Sequence, residues 1–129
     1  MTIFEQIITV SKNDIDQLNH ANNIKYVEWV NEVAAAHWNN NSNEVLRKNF
    51  FWVLISHKID YKSECLVGQE VKIKTYVKVS EGFKSVRVVE FYNLNTHKIA
   101  SVSETTWCLM NSQSRRPTKI TDEIKMLFE

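Results

Sequence analysis

Glycine and proline are nearly missing from this chain: 2 Gly and 1 Pro among 129 residues. Gly68 and Gly82 cannot write GxGxxG or a GKS/GKT loop, so glycine-rich phosphate cradles are excluded. The two cysteines, Cys65 and Cys108, form no CxxC, and with 4 scattered histidines they give no zinc-ligand spacing. No GxSxG is present, which removes the strand-turn-helix serine nucleophile. No stretch approaches the roughly 18 apolar residues of a membrane span. Residues 1–10 lack the basic start and apolar run of a signal peptide. An excess of one charge is missing too: 16 Lys plus Arg stand against 15 Asp plus Glu, a formal net charge of +1. Such a chain has no global electrostatic reason to seek nucleic acid. These absences predict one soluble, cytoplasmic domain over residues 1–129, with no nucleic-acid or membrane partner, no metal and no cofactor.

What is present is a core. About 43% of the residues are hydrophobic, enough for one domain without staples. Residues 3–10 alternate as a strand. From Ile24 to Trp38 the only charged residues, Lys25, Glu28 and Glu32, fall at spacings of three and four in one narrow stripe. Most of the remaining circumference is apolar or small, so this helix must be covered by protein. Asn22 is its expected N-cap, and the polar run 39–43 ends it. Residues 44–48 allow one extra turn. Phe51, Val53, Ile55, His57, Ile59 and Tyr61 are expected to share one face of a long strand. Residues 71–79, 84–92 and 98–110 read as three more strands, with Ser80-Glu81-Gly82 as a hairpin turn. Thr121 caps a short last helix with Asp122 and Glu123 in its first turn. The order is strand, buried helix, then four strands. A curved antiparallel sheet wrapped around a central helix accommodates it, an α+β arrangement known as the hot-dog fold. One five-stranded sheet leaves the helix's far side uncovered, which predicts a homodimer or homotetramer.

Residues 14–26, DIDQLNHANNIKY, place two carboxylates, an imidazole and several amides immediately before that helix. Each residue alone has a structural use, because Asp and Asn shape turns and satisfy free N–H groups. Together they stand where a helix N-terminus aims donors at a developing oxyanion. Asp14 and Asn22 fit structural roles, as turn residue and cap.

The run Asp16-x-x-x-His20-x-Asn22-Asn23-x-x-Tyr26 resembles the motif of hot-dog thioesterases, both the 4-hydroxybenzoyl-CoA type and the acyl-ACP type, in which D-x-N-x-H-V-N-N-x-x-Y recurs. Residues 60–65, DYKSEC, are similar to the Y-R-R-E-C segment of the acyl-ACP branch, and residues 68–71 to its G-D-x-V strand opening. The resemblance implies hydrolysis of acyl-CoA or acyl-ACP thioesters. It assigns Asp16 as the carboxylate nucleophile or general base and the Asn23 N–H as the donor to the thioester carbonyl. It makes His20 an orienting histidine and Glu64 a second carboxylate. One position departs: the acyl-ACP pattern has Asn where Leu18 stands, so the Asn-dependent part of that mechanism is not carried over.

Asn22 and Tyr26 are candidates for substrate contact, and Lys84, Ser85 and Arg87, after the Gly82 turn, for the carrier's phosphates. Lys72, Lys74 and Lys78 read as a solvated strand face. Two other functions are compatible with these residues. One is a hot-dog hydratase or dehydratase on enoyl thioesters, which hydration of an enoyl-CoA would reveal. The other is a non-catalytic binder of acyl groups, which a ligand would stabilise without turnover.

Overall fold

A computed structural model describes all 129 residues. Strand β1 (Phe4–Thr9) leads through a 3-10 turn (Lys12–Asp14) into α1 (Asn23–Asn41) and the short α2 (Glu44–Asn49). Four strands follow: β2 (Phe50–Tyr61), β3 (Glu70–Glu81), β4 (Lys84–Asn93) and β5 (Lys98–Asn111). The chain closes with α3 (Asp122–Met126). Every pairing is antiparallel, in the order β1-β3-β4-β5-β2. No helix is long and apolar enough to cross a membrane.

Register shifts at Leu54/Ser56, Val77/Val79 and Phe91/Tyr92 bend the sheet. α1 lies in the resulting hollow. It buries Tyr26, Trp29, Val30, Val33, Ala34 and His37, residues three and four apart. Their counterparts from the sheet are Val71, Ile73, Val89, Phe91 and Ala100. Burying one such large apolar side chain stabilises the fold by about 1.5–3 kcal/mol. A second cluster, Leu46, Leu109, Ile120 and Ile124, joins α2 and α3 to the end of β5. This is the hot-dog arrangement expected from the sequence.

Asn22 caps α1 as expected, its side chain accepting the Ile24 N–H, but the helix runs on to Asn41. The Asn39–Asn41 amides stay helical because Ser42 ends the helix one turn later, its N–H and hydroxyl both donating to Trp38 C=O. Thr121 caps α3 as expected. The single-face reading of β2 is corrected. The bulge at Ile55 reverses the alternation, so Val53 and Ile55 are 39% and 49% exposed while Ile59 packs against the α1 core. β2 is an edge strand, paired only with β5. On α1, Ile24 and Glu32 face away from the sheet and are exposed in the single chain, while Asn31 and Ala35, also exposed, rim a cavity shared with the strands.

Candidate functional site

The segment between β1 and α1 is a tight loop with its own internal bonding. Ile15 bridges Ala21, Asp16 N–H donates to His20 C=O at 3.0 Å, and Asn19 N–H donates to Asp16 C=O at 3.1 Å. Closing so short a loop puts Asn19 in the left-handed region at φ 63°, a conformation that asparagine adopts more readily than most residues. Two contacts pin the loop against residues 64–66. His20 bridges Leu66, and Ala21 N–H donates to Cys65 C=O at 2.8 Å. The topology thereby brings Glu64 beside His20.

Asp16 points back into its own loop. One oxygen accepts the Leu18 N–H at 2.8 Å, and the other lies 3.2 Å from His20 Nδ1. His20 Nδ1 is also 3.4 Å from Ala21 C=O. Two acceptors on Nδ1 require that nitrogen to carry the proton in the neutral ring, which leaves Nε2 as the lone-pair nitrogen. Asp14 has a different task. It accepts from Ser11 N–H and hydroxyl and pairs with Lys25 at 3.3 Å. Burial alone would raise its carboxyl; the Ser11 and Lys25 partners outweigh that and hold it below its ordinary value.

At the start of α1, Asn22 does the capping. Its side chain takes the Ile24 N–H at 3.0 Å, and its carbonyl takes the Lys25 N–H at 2.9 Å. The Asn23 N–H enters no hydrogen bond in the chain. It is left free at the positive end of a 19-residue helix. Asn23 and His20 line one cavity of about 220 Å³ together with Glu64, Tyr26 and Ala21. Its remaining wall is Tyr61, Lys62 and Ser63. Three of the four residues assigned to catalysis thus meet in one cavity, and the fourth, Asp16, reaches it through His20.

The substrate-contact residues separate. Asn22 is the helix cap. Tyr26 is 3% exposed and stacks edge-on against Trp29, Tyr61 and Phe91, a core aromatic with one edge in the cavity. Burial pushes its phenol up, so it stays neutral. Lys84 is exposed on a strand end, over the Phe83 ring. Ser85 and Arg87 correct the sequence reading: both are 6% exposed and face α1 from β4. They do not form a solvent-facing phosphate loop with Lys84, because strand alternation turns 85, 87, 89 and 91 to the inner face. Lys72 and Lys78 meet Glu5 and Glu104 across the strands, as a solvated face does.

Sequence reasoning missed two features. Tyr61 donates to Asn23 C=O at 3.3 Å and so ties β2 to the first turn of α1; it stood unread inside the DYKSEC motif. Arg87 Nη1 donates to His37 Nδ1 at 2.8 Å within the core, a pairing across 50 residues that no local signal announces. Cys65 and Cys108 are both free and buried.

Residues 2–128 match the family model of the acyl-ACP thioesterase N-terminal domain. No curated protein matches the chain. Among solved structures, a 1,4-dihydroxy-2-naphthoyl-CoA thioesterase from Synechocystis superposes with a TM-score of 0.83 at 12% identity, over 98% of this chain and 95% of that one. A Staphylococcus aureus protein in complex with CoA gives a TM-score of 0.86 at 17% identity, over 98% and 81%. The 12:0-ACP thioesterase from Umbellularia californica gives 0.83 at 15% identity, over 98% of this chain and 51% of that one. At these identities the likeness is one of fold.

Proposed function

This chain belongs to the acyl-ACP thioesterase family of hot-dog thioesterases, and from that premise we propose that it hydrolyses acyl-CoA or acyl-ACP to free acid and thiol. The observation that carries the reading is the pairing of Asp16 with His20 beside the unused Asn23 N–H in one cavity. Asp16 holds the His20 ring with Nδ1 protonated and Nε2 open. A water that gives its proton to Nε2 attacks the thioester carbonyl. The oxyanion forms against the Asn23 N–H, and the C–S bond breaks as the proton passes from His20 to the departing thiolate. Glu64 accepts the water's second hydrogen and fixes its direction. A positioned base contributes about 10²–10⁴-fold and an oxyanion donor roughly another 10²–10³-fold. In this scheme Asp16 acts through His20 rather than as the attacking group, since both its oxygens are engaged within the loop.

The long edge of β2, with Val53 and Ile55 outward, is the surface a second copy would cover. Unpaired edges of this length are otherwise prone to unspecific pairing. We therefore read the working unit as at least a homodimer joined along β2.

Thiol release from a panel of acyl-CoA and acyl-ACP thioesters tests the reaction. Asp16→Asn should lower kcat by a factor on the order of 10²–10⁴ in a protein that still folds. Asn23→Pro tests the donor. Position 23 opens the helix, where proline is tolerated, and Asn22 already has the extended φ −69°, ψ 140° that a following proline requires. The substitution deletes the N–H without removing a helix bond, so kcat should fall by roughly 10²–10³. Asn23→Ala keeps the N–H and should stay near wild type. Undiminished turnover in folded Asp16→Asn, or equal behaviour of the Pro and Ala variants, would defeat the mechanism.

A further inference from the structure

Arg87 is 6% exposed, yet no carboxylate comes within ion-pair distance of it. All its partners are neutral. Nη1 donates to His37 Nδ1 at 2.8 Å and to Thr75 Oγ1 at 3.1 Å, and the guanidinium carbon lies 5.4 Å from the centre of the Phe128 ring. Those two bonds use both hydrogens of Nη1. The Nε and Nη2 donors have no acceptor in the chain, and neither atom is sealed off by protein. Together they form the edge of a guanidinium that grips a carboxylate with two parallel bonds. A buried cation without a counter-charge is expensive, and an anionic partner removes that penalty.

Arg87 lines a cavity of about 180 Å³ whose other walls include Asn31, Ala34, Trp38, Trp52 and Trp107. This cavity and the Asn23 cavity share no lining residue, but both open along the same side of α1. Asn23, Val27, Asn31, Ala34 and Trp38 follow one another at helical spacing along one side of α1. β2 runs beside that line, with Tyr61 bonded to Asn23 at one end and Trp52 against Trp38, 5.8 Å between ring centres, at the other. From Asn23 to His37, which Arg87 bonds, the helix rises about 21 Å, the length of a long extended acyl chain. A site for plain alkyl chains has no use for the unpaired guanidinium edge of Arg87.

Resting on the thioesterase reading, we infer that the acyl group selected by this chain carries a carboxylate at the end remote from the thioester, held by Arg87 Nε and Nη2. The substrate class is the monothioester of a dicarboxylic acid. The carrier stays at the Asn23 end of the groove, and the far carboxylate replaces water around Arg87.

The test compares CoA monothioesters of linear dicarboxylic acids with alkanoyl-CoA thioesters of the same carbon number, short to long, in wild-type protein. The expected result is a kcat/KM preference for the carboxylated member of roughly 10- to 100-fold at the favoured length. In Arg87→Met and Arg87→Gln the preference should collapse toward unity. A parallel binding measurement needs no turnover: thermal stabilisation by monomethyl esters of the same diacids against the methyl alkanoates. Wild type should be stabilised by the former only. Hydrolysis of both series without preference, or preference for the alkanoyl series, overturns the inference and leaves the thioesterase reading standing. Hydrolysis of neither, together with no hydrolysis of the acyl-ACP panel, removes the thioesterase reading, and the binding comparison then decides on the Arg87 site alone: no selective stabilisation overturns it. The wild-type comparisons stand even where an Arg87 variant fails to fold.

Discussion

Acid should weaken this protein through His37 in a way that one substitution can isolate. His37 is 1% exposed and sits between Arg87 on β4 and Thr2, with Phe4 and Phe128 against its ring. Arg87 can only donate, so Nδ1 must be the unprotonated nitrogen, and Nε2–H donates to the Thr2 hydroxyl. A second proton would have to enter on Nδ1, where it breaks the bond from Arg87 and places two cations 2.8 Å apart. Burial first, and the Arg87 charge second, depress His37 from 6.5 to about 4. Between those values the unfolded chain binds the proton and the folded chain does not, so stability falls as pH falls from 6.5 toward 4. A shift of this size corresponds to about 3 kcal/mol in all, with about 2 kcal/mol lost by pH 5. The assay is urea denaturation from pH 7.5 to 4, for wild type and His37→Gln. Glutamine still offers Arg87 an acceptor but does not titrate. All other carboxylates and histidines titrate in both proteins and cancel in the difference. The His37→Gln curve should therefore be flatter by about the same 3 kcal/mol. Parallel pH dependences would refute the neutral, arginine-facing histidine.

Thr121→Ala removes the cap that accepts the Ile124 N–H at 3.2 Å, and should cost about 1 kcal/mol in urea unfolding without altering kcat. Gly82→Ala leaves the added methyl in open space but forces a φ of +63° on an L residue, so the loss should be roughly 1–2 kcal/mol, read from the same curves. Burial pushes the Cys65 thiol up and leaves it 1% exposed; it should resist alkylation in native buffer and react once the chain is unfolded. Rapid native labelling of Cys65 would mean that the 64–66 segment opens readily, contrary to its backbone ties to His20 and Ala21.

The parts of the fold legible in the sequence were those set by local chemistry. Asn22 and Thr121 announce helix starts because a short polar side chain is the cheapest way to bond a free N–H. Five strands stood out because their side chains alternate, and the Gly82 turn because glycine takes the positive φ found there. His20 and Asn23 from the loop motif and Glu64 from the DYKSEC segment line one cavity. What escaped was set by pairing over distance. The bulge at Ile55 depends on how β2 meets β5, and a chain read alone shows only unbroken alternation from Phe51 to Tyr61. Ser85 and Arg87 are read as phosphate contacts because they follow the Gly82 turn, although the apolar alternates Val89 and Phe91 mark the same phase as inward. Nearness to the turn does not decide which face a side chain takes; the alternation of the strand does.

The bulge also explains how one strand meets α1 at two separate points. Without it, Tyr61 and Trp52 would fall on opposite faces of β2, since nine positions separate them and side chains alternate. Inserting one residue restores the phase. Trp52 and Tyr61 then both face α1, the first against Trp38 and the second against Asn23 and Tyr26. A single extra residue in an edge strand thus couples the aromatic cavity to the helix N-terminus. Deleting Ile55 would put the two halves of β2 out of phase, so either Tyr61 leaves the first turn of α1 or Trp52 leaves the aromatic cavity. Such a protein should lose turnover or chain selectivity even where its secondary structure, followed by circular dichroism, survives.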